Sequence, residues 1–235
     1  IKPLFLDELN NELINSKNDI KKLNKLLVKI YNINIFDPAC GSGNFLVISY
    51  KELYKIEIEI LRQLKDLDKN DWLISKSGIE LSQFFGIELD DYAHEMAKLS
   101  LWIAQHQMNN LYEEILNDKR SFLPLAPSGN IYCKNANLIE WEDICPKKSN
   151  KQIFVVGNPP YVKFQDMNED LRNYLVNNFV SIKKGTYNLY FSFFEPRSLR
   201  NKQDISTSKF ILTLCQISEY FSYVLARPCT AGKVQ

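Results

Sequence analysis

The chain has 235 residues, 45% of them hydrophobic and 24% charged, with a net charge of +1. That is enough chain for one sizeable core or one domain plus an appendage, in an ordinary soluble composition. The near-neutral balance excludes a strongly basic nucleic-acid module, so any nucleic-acid contact must come from a local patch.

Residues 7–30 read as helix, with Leu9, Leu13, Ile20, Leu23, Leu27 and Ile30 near helical spacing. Residues 33–37 form a short apolar run ending in Asp37 and read as a strand. A Gly-containing turn follows, then an amphipathic helix over residues 45–67. Residues 84–89 read as a second strand, again ending in acids, and residues 92–111 as a helix. Residues 130–134 are a weaker strand and 153–156 a clear one. Residues 167–179 and 189–199 read as helices, and 210–215 as a last β-like run. Strands alternating with long helices predict an α/β fold with a mainly parallel sheet flanked by helices. In such sheets the ligand site lies beyond the carboxyl ends of the strands.

Three strand ends carry unusual polar chemistry. Phe36-Asp37-Pro38-Ala39-Cys40-Gly41-Ser42-Gly43-Asn44 places two glycines between a strand and a helix. Glycine permits a tight turn and close approach of a ligand. The helix N-terminus offers amides to a carboxylate, and Asp37 offers a charge to an ammonium group. An ordinary capped turn is the plainer alternative. Gly86-Ile87-Glu88-Leu89-Asp90 puts Glu88 where a carboxylate can accept ribose hydroxyls, while Asp90 or Asp91 suits a helix N-cap. Val156-Gly157-Asn158-Pro159-Pro160-Tyr161 is the sharpest signal. Two prolines fix the backbone and remove two donors. Carbonyl oxygens and the Asn158 amide can then accept from a planar NH₂ group, with Tyr161 stacking on its ring.

Five cysteines, Cys40, Cys133, Cys145, Cys215 and Cys229, lack a CxxC pair. They argue against a disulfide framework and a zinc site, and for a cytoplasmic protein. His94 and His106 are not at metal-ligand spacing and are assigned packing or surface roles, so no metal is expected. Lys163, Lys183 and Lys184 flank the sharpest motif and read as surface lysines or phosphate contacts.

These segments resemble the class I S-adenosylmethionine-dependent DNA methyltransferases with a Rossmann-like fold, in the gamma order of motifs. Within that group they are similar to adenine-N6 enzymes of type IIG and type IIL restriction–modification systems. The resemblance covers about residues 3–195. It implies S-adenosyl-L-methionine as cofactor, held by Asp37 and by the backbone of Ala39, Cys40, Gly41 and Gly43. It implies that Glu88 holds the ribose, that Asn135 contacts the cofactor adenine, and that Phe193 packs on that ring. Asn135 stands where the family often has an acid. Asn158, Pro159, Pro160 and Tyr161 match the catalytic tetrapeptide. The implied partner is double-stranded DNA with a flipped adenine, since a base cannot react inside the stack.

The implied organisation is an N-terminal helical segment over residues 1–32, a methyltransferase domain over 33–215 and an atypical tail over 216–235. The Ile1-Lys2-Pro3 start resembles a cut end, and no recognition domain of the family is seen. A fragment incomplete at both ends is therefore expected, relying on a downstream recognition domain or specificity subunit. Two other readings stay open. One is a protein-glutamine or RNA N-methyltransferase, since a glutamine amide is also planar. The other is a catalytically incomplete, cofactor-binding fragment.

Overall fold

The computed structural model describes residues 1–67, 78–118, 129–136, 138–158, 169, 172–173 and 208–210. Its centre is a parallel sheet of five strands: β1 Ile33–Asp37, β2 Phe84–Glu88, β3 Asn130–Cys133, β4 Gln152–Val155 and β5 Ser208–Phe210. The spatial order is β3-β2-β1-β4-β5. The chain builds outward from β1 through β2 to β3, then returns to the other side of β1 for β4. β1 is therefore the strand at which the order reverses, and in open α/β sheets the ligand crevice lies at that point.

The helices are α1 Asp7–Asn15, α2 Ile20–Tyr31, α3 Asn44–Leu67, α4 Asp91–Leu116 and the short α5 Trp141–Ile144. The single helix expected over residues 7–30 is instead two. The polar run from Asn15 to Asp19 breaks it. Ser16 Oγ donates to the Glu12 carbonyl (2.6 Å), Asn18 adopts a left-handed φ of 62°, and Asp19 accepts from the Lys22 amide to cap α2. Short polar side chains bond the backbone locally and favour such caps and turns over helix interiors.

Period-two alternation sorts the strand side chains onto two apolar layers. Ile33, Ile35, Phe84, Ile131 and Phe154 face a core shared with α1 to α4, in which Leu9, Leu27, Leu46, Tyr50 and Leu101 are buried. Phe36, Phe85, Ile87, Ile153 and Val155 face the other side, covered by Ala136, Ile144, Cys145 and Trp141. Aromatic contacts tie each layer to the sheet: Tyr50 meets Phe84 edge-on (5.3 Å), and Trp141 meets Phe36 likewise (5.2 Å). The strand expected at 210–215 begins earlier, at Ser208, and pairs with β4; residues 211–215 lie outside the described ones. So do most of the expected helices at 167–179 and 189–199. Among the described residues, no helix is long and apolar enough to cross a membrane.

Candidate active site

The site starts at the end of β1. Asp37 is fully buried. Its Oδ1 accepts from the Ala39 amide (3.0 Å), while its buried Oδ2 has no hydrogen-bond partner among the described residues. Burial pushes the carboxyl up to about 7; the Ala39 amide opposes this, and the nearby Glu88 charge adds to it. An ammonium group at Oδ2 would supply both the missing partner and the missing charge.

The loop after Asp37 is pinned to the end of β2. The Cys40 amide donates to the Ile87 carbonyl (3.0 Å), and the Gly41 amide donates to Glu88 Oε2 (2.8 Å). Gly41 and Gly43 have φ of 54° and 84°, in the region glycine enters freely. A methyl group at Gly43 would press on Ala97 of α4 at 3.3 Å, so this glycine lets α4 pack against the loop. A methyl group at Gly41 would meet nothing within 4 Å, so that backbone faces open space at the crevice. The Cys40 thiol is buried and pushed up by burial, then by the Asp37 and Glu88 charges. It fills space against Gly86, and burial favours its neutral thiol form.

Glu88 holds three backbone amides. Oε1 accepts from Leu89 (2.8 Å) and Asp90 (2.9 Å), and Oε2 from Gly41. A carboxylate offers about four lone-pair sites. Three are occupied, so the geometry leaves room for one hydroxyl rather than the two a free carboxylate accepts. Asp90 caps α4 by accepting from the Ala93 amide (2.7 Å), as one reading of the sequence expected. Asn135 follows β3 at the same end of the sheet, where the neighbouring Lys134 amide donates to the Glu88 carbonyl (2.9 Å).

β4 brings the second half of the site to the first. The Val156 amide donates to the Phe36 carbonyl (2.8 Å), carrying the pairing one residue beyond the strand. A methyl group at Gly157 would lie 2.7 Å from Asp37 Oδ1, so the two strand ends touch at this glycine. Asn158, the next residue, is exposed. Asp37 and Asn158 thus stand side by side at the switch point, although over a hundred residues separate them in the chain. Sequence reasoning missed Gly157, whose role depends on a neighbour in space. Pro159, Pro160, Tyr161, Phe193, Lys163, Lys183 and Lys184 lie outside the described residues.

Residues 13–210 match the family model of the MmeI DNA-methyltransferase domain. The chain belongs to this family. A DNA methyltransferase A of Bacillus subtilis is 47% identical over 186 residues, which are 79% of this chain and 21% of that protein. A putative type II restriction enzyme and methyltransferase of Methanocaldococcus jannaschii is 37% identical over 59% of this chain and 11% of its own length. The type IIL restriction–modification enzyme MmeI, solved in complex with DNA, superposes with a TM-score of 0.79 at 33% identity, over 91% of this chain and 29% of that one. The domain here is thus an α/β DNA-methyltransferase domain of the MmeI type. It spans about a fifth of the length of the Bacillus relative. The matched segment contains each strand end described above.

Proposed function

We propose that this domain transfers a methyl group from S-adenosyl-L-methionine to the N6 amine of adenine in DNA, as part of a restriction–modification enzyme. The observation that carries the reading is the contact of the two strand ends at Gly157, which supports a cofactor site at Asp37 beside an amine acceptor at Asn158. Asp37 Oδ2 would hold the ammonium of the cofactor, and Gly41 would let it approach the backbone, while Gly43 keeps the loop packed against α4. Glu88 would accept one ribose hydroxyl through Oε2. Asn135 and Phe193 are the residues proposed for its adenine ring. When bound, S-adenosyl-L-methionine supplies an electrophilic methyl on sulfur.

The acceptor side needs activation. An adenine amine is a poor nucleophile because its lone pair is delocalised into the ring. The Asn158 side-chain oxygen and the Pro159 carbonyl would accept its two N–H bonds and draw the lone pair back onto nitrogen. Pro159 and Pro160 bring no competing donors. Tyr161 would stack on the base once it leaves the helix. These groups act by positioning and fixed dipoles. The named activities of the matched relatives support DNA over protein or RNA as the acceptor.

The test is transfer of labelled methyl to DNA, RNA and a glutamine-bearing protein in parallel, with modified nucleosides identified by mass spectrometry. N6-methyladenine in DNA is the expected product. Label in protein or RNA alone refutes the reading, and N4-methylcytosine corrects its base.

A further inference from the structure

We propose that Asp91, His94 and Cys133 form a binding site for a transition-metal ion of the zinc class, at the corner where β2, β3 and the start of α4 meet. One ligand atom from each of the three lies within 4.8 Å of the others. The topology brings them together. Asp91 and His94 occupy the first turn of α4, and Cys133 ends β3 in register with Glu88 of β2. The spacing of His94 and His106 along one helix concealed this, because the third ligand comes from a different strand.

The His94 ring carries the argument. Its Nε2 lies 3.2 Å from the Ile131 carbonyl oxygen. A carbonyl only accepts, so Nε2 carries the hydrogen and Nδ1 of the neutral ring carries a lone pair. That Nδ1 is buried and makes no hydrogen bond among the described residues, and the side chain is only 9% exposed. The charged groups facing Nδ1 are acids: Glu95 Oε1 at 3.2 Å and Asp91 Oδ1 at 3.9 Å. On this tautomer a buried Nδ1 facing carboxylates is placed to share a cation with them. A backbone carbonyl on the far ring nitrogen is the usual orienting partner of a metal-bound imidazole.

The donor set selects the ion. Nitrogen, sulfur and oxygen together suit zinc or cobalt, whereas magnesium and calcium take oxygen ligands. Tetrahedral zinc with bonds of about 2.0–2.3 Å puts ligand atoms about 3.3–3.8 Å apart. Asp91 and Cys133 are exposed, so their side chains are free to close that gap. Cys133 Sγ now makes only a long contact to the Leu89 carbonyl (3.7 Å). Glu95, which also pairs with Lys98 (2.9 Å), or a water would complete the shell. A bound ion would clamp the first turn of α4 to the end of β3, beside Glu88 and Asn135.

Cobalt tests this, because a cobalt–thiolate bond absorbs in the near ultraviolet. Titration of the metal-stripped chain should produce that band, and zinc should abolish it by displacement. Cys133→Ser should remove the band, and Asp91→Asn should weaken binding about tenfold or more. Zinc should raise the melting temperature of the parent but not of Cys133→Ser. His94 is buried and its replacement risks misfolding, so the exposed Cys133 decides. No band, a band that survives Cys133→Ser, or equal zinc stabilisation of both chains overturns the proposal; a proton on Nδ1 would then meet the same need.

Discussion

Asp37 is a buried carboxyl with one satisfied oxygen, and that arrangement costs stability once the group ionises. Its folded value of about 7 stands above the ordinary 3.8. Between those values the folded chain binds more protons than the unfolded one, so stability falls as pH rises from about 4 through 7 and levels off above. A shift of this size corresponds to on the order of a few kcal/mol. Asp37→Asn should therefore stabilise the ligand-free chain at pH 8 and flatten this pH slope, as read by chemical denaturation. The same change should weaken cofactor binding by about tenfold or more, since a charge-assisted bond is lost. For the parent, cofactor affinity should climb as pH is raised toward 7, because the ammonium needs the carboxylate. Calorimetry between pH 5.5 and 7 checks this, and a flat profile would refute the assignment of Asp37. Gly157 is coupled to it directly. A methyl group there would sit 2.7 Å from Asp37 Oδ1, so Gly157→Ala must displace either the carboxylate or the loop. The expected cost is about 1–3 kcal/mol, with cofactor affinity falling alongside. An unchanged affinity would mean that the two strand ends are independent.

At the scale of elements, buried side-chain amides join what periodicity cannot. Gln83 Nε2 donates to the Ile33 carbonyl (2.7 Å), with longer contacts to the carbonyls of Ile30 (3.3 Å) and Tyr31 (3.4 Å), while its Oε1 accepts from the Glu80 amide (2.9 Å). One side chain thus ties the end of α2 to the start of β1 and to the turn before β2. Gln83→Ala leaves those buried carbonyls short of a donor. It should cost about 1–3 kcal/mol in urea denaturation while leaving cofactor affinity per folded molecule unchanged. Nothing in the sequence marks this bridging role of Gln83, because the carbonyls its Nε2 serves lie some fifty residues away. The stripe of Leu23, Leu27 and Ile30 was legible from its helical period, and β1 and β4 were legible as short continuous apolar runs, since both their faces are buried. The break between α1 and α2 was less so, since the apolar spacing continues across it while the Ser16 and Asp19 side chains bond the backbone. α5 is a single turn, too short for any period to register.

At the scale of the whole molecule, the decisive fact is an order of strands that no local pattern encodes. Alternation of strand and helix announces a parallel sheet, but the return of β4 to the far side of β1 is fixed only by tertiary packing. That return divides the site in two. On the proposed function, the cofactor half is built by β1, its glycine loop, α3 and β2; the acceptor half hangs from β4, which pairs along β1 and ends at Gly157 against Asp37. Two halves whose polar groups lie on different strands should be separable by mutation. Asn158 is exposed beyond that junction, and the hydrogen bonds that hold the loop among the described residues run to Asp37 and Glu88 instead. On the proposed function, Asn158→Ala removes one acceptor that draws the adenine lone pair onto nitrogen. Methyl transfer should then fall by roughly a hundredfold or more in kcat, the scale of losing one preorganised dipole at a reacting centre. Affinity for S-adenosyl-L-methionine should stay near that of the parent, and so should the denaturation midpoint. Single-turnover transfer and calorimetry on the same preparation separate these outcomes. Parallel loss of transfer and cofactor binding would show that the strand ends form one indivisible unit, with Asn158 supporting the fold of the site rather than its chemistry.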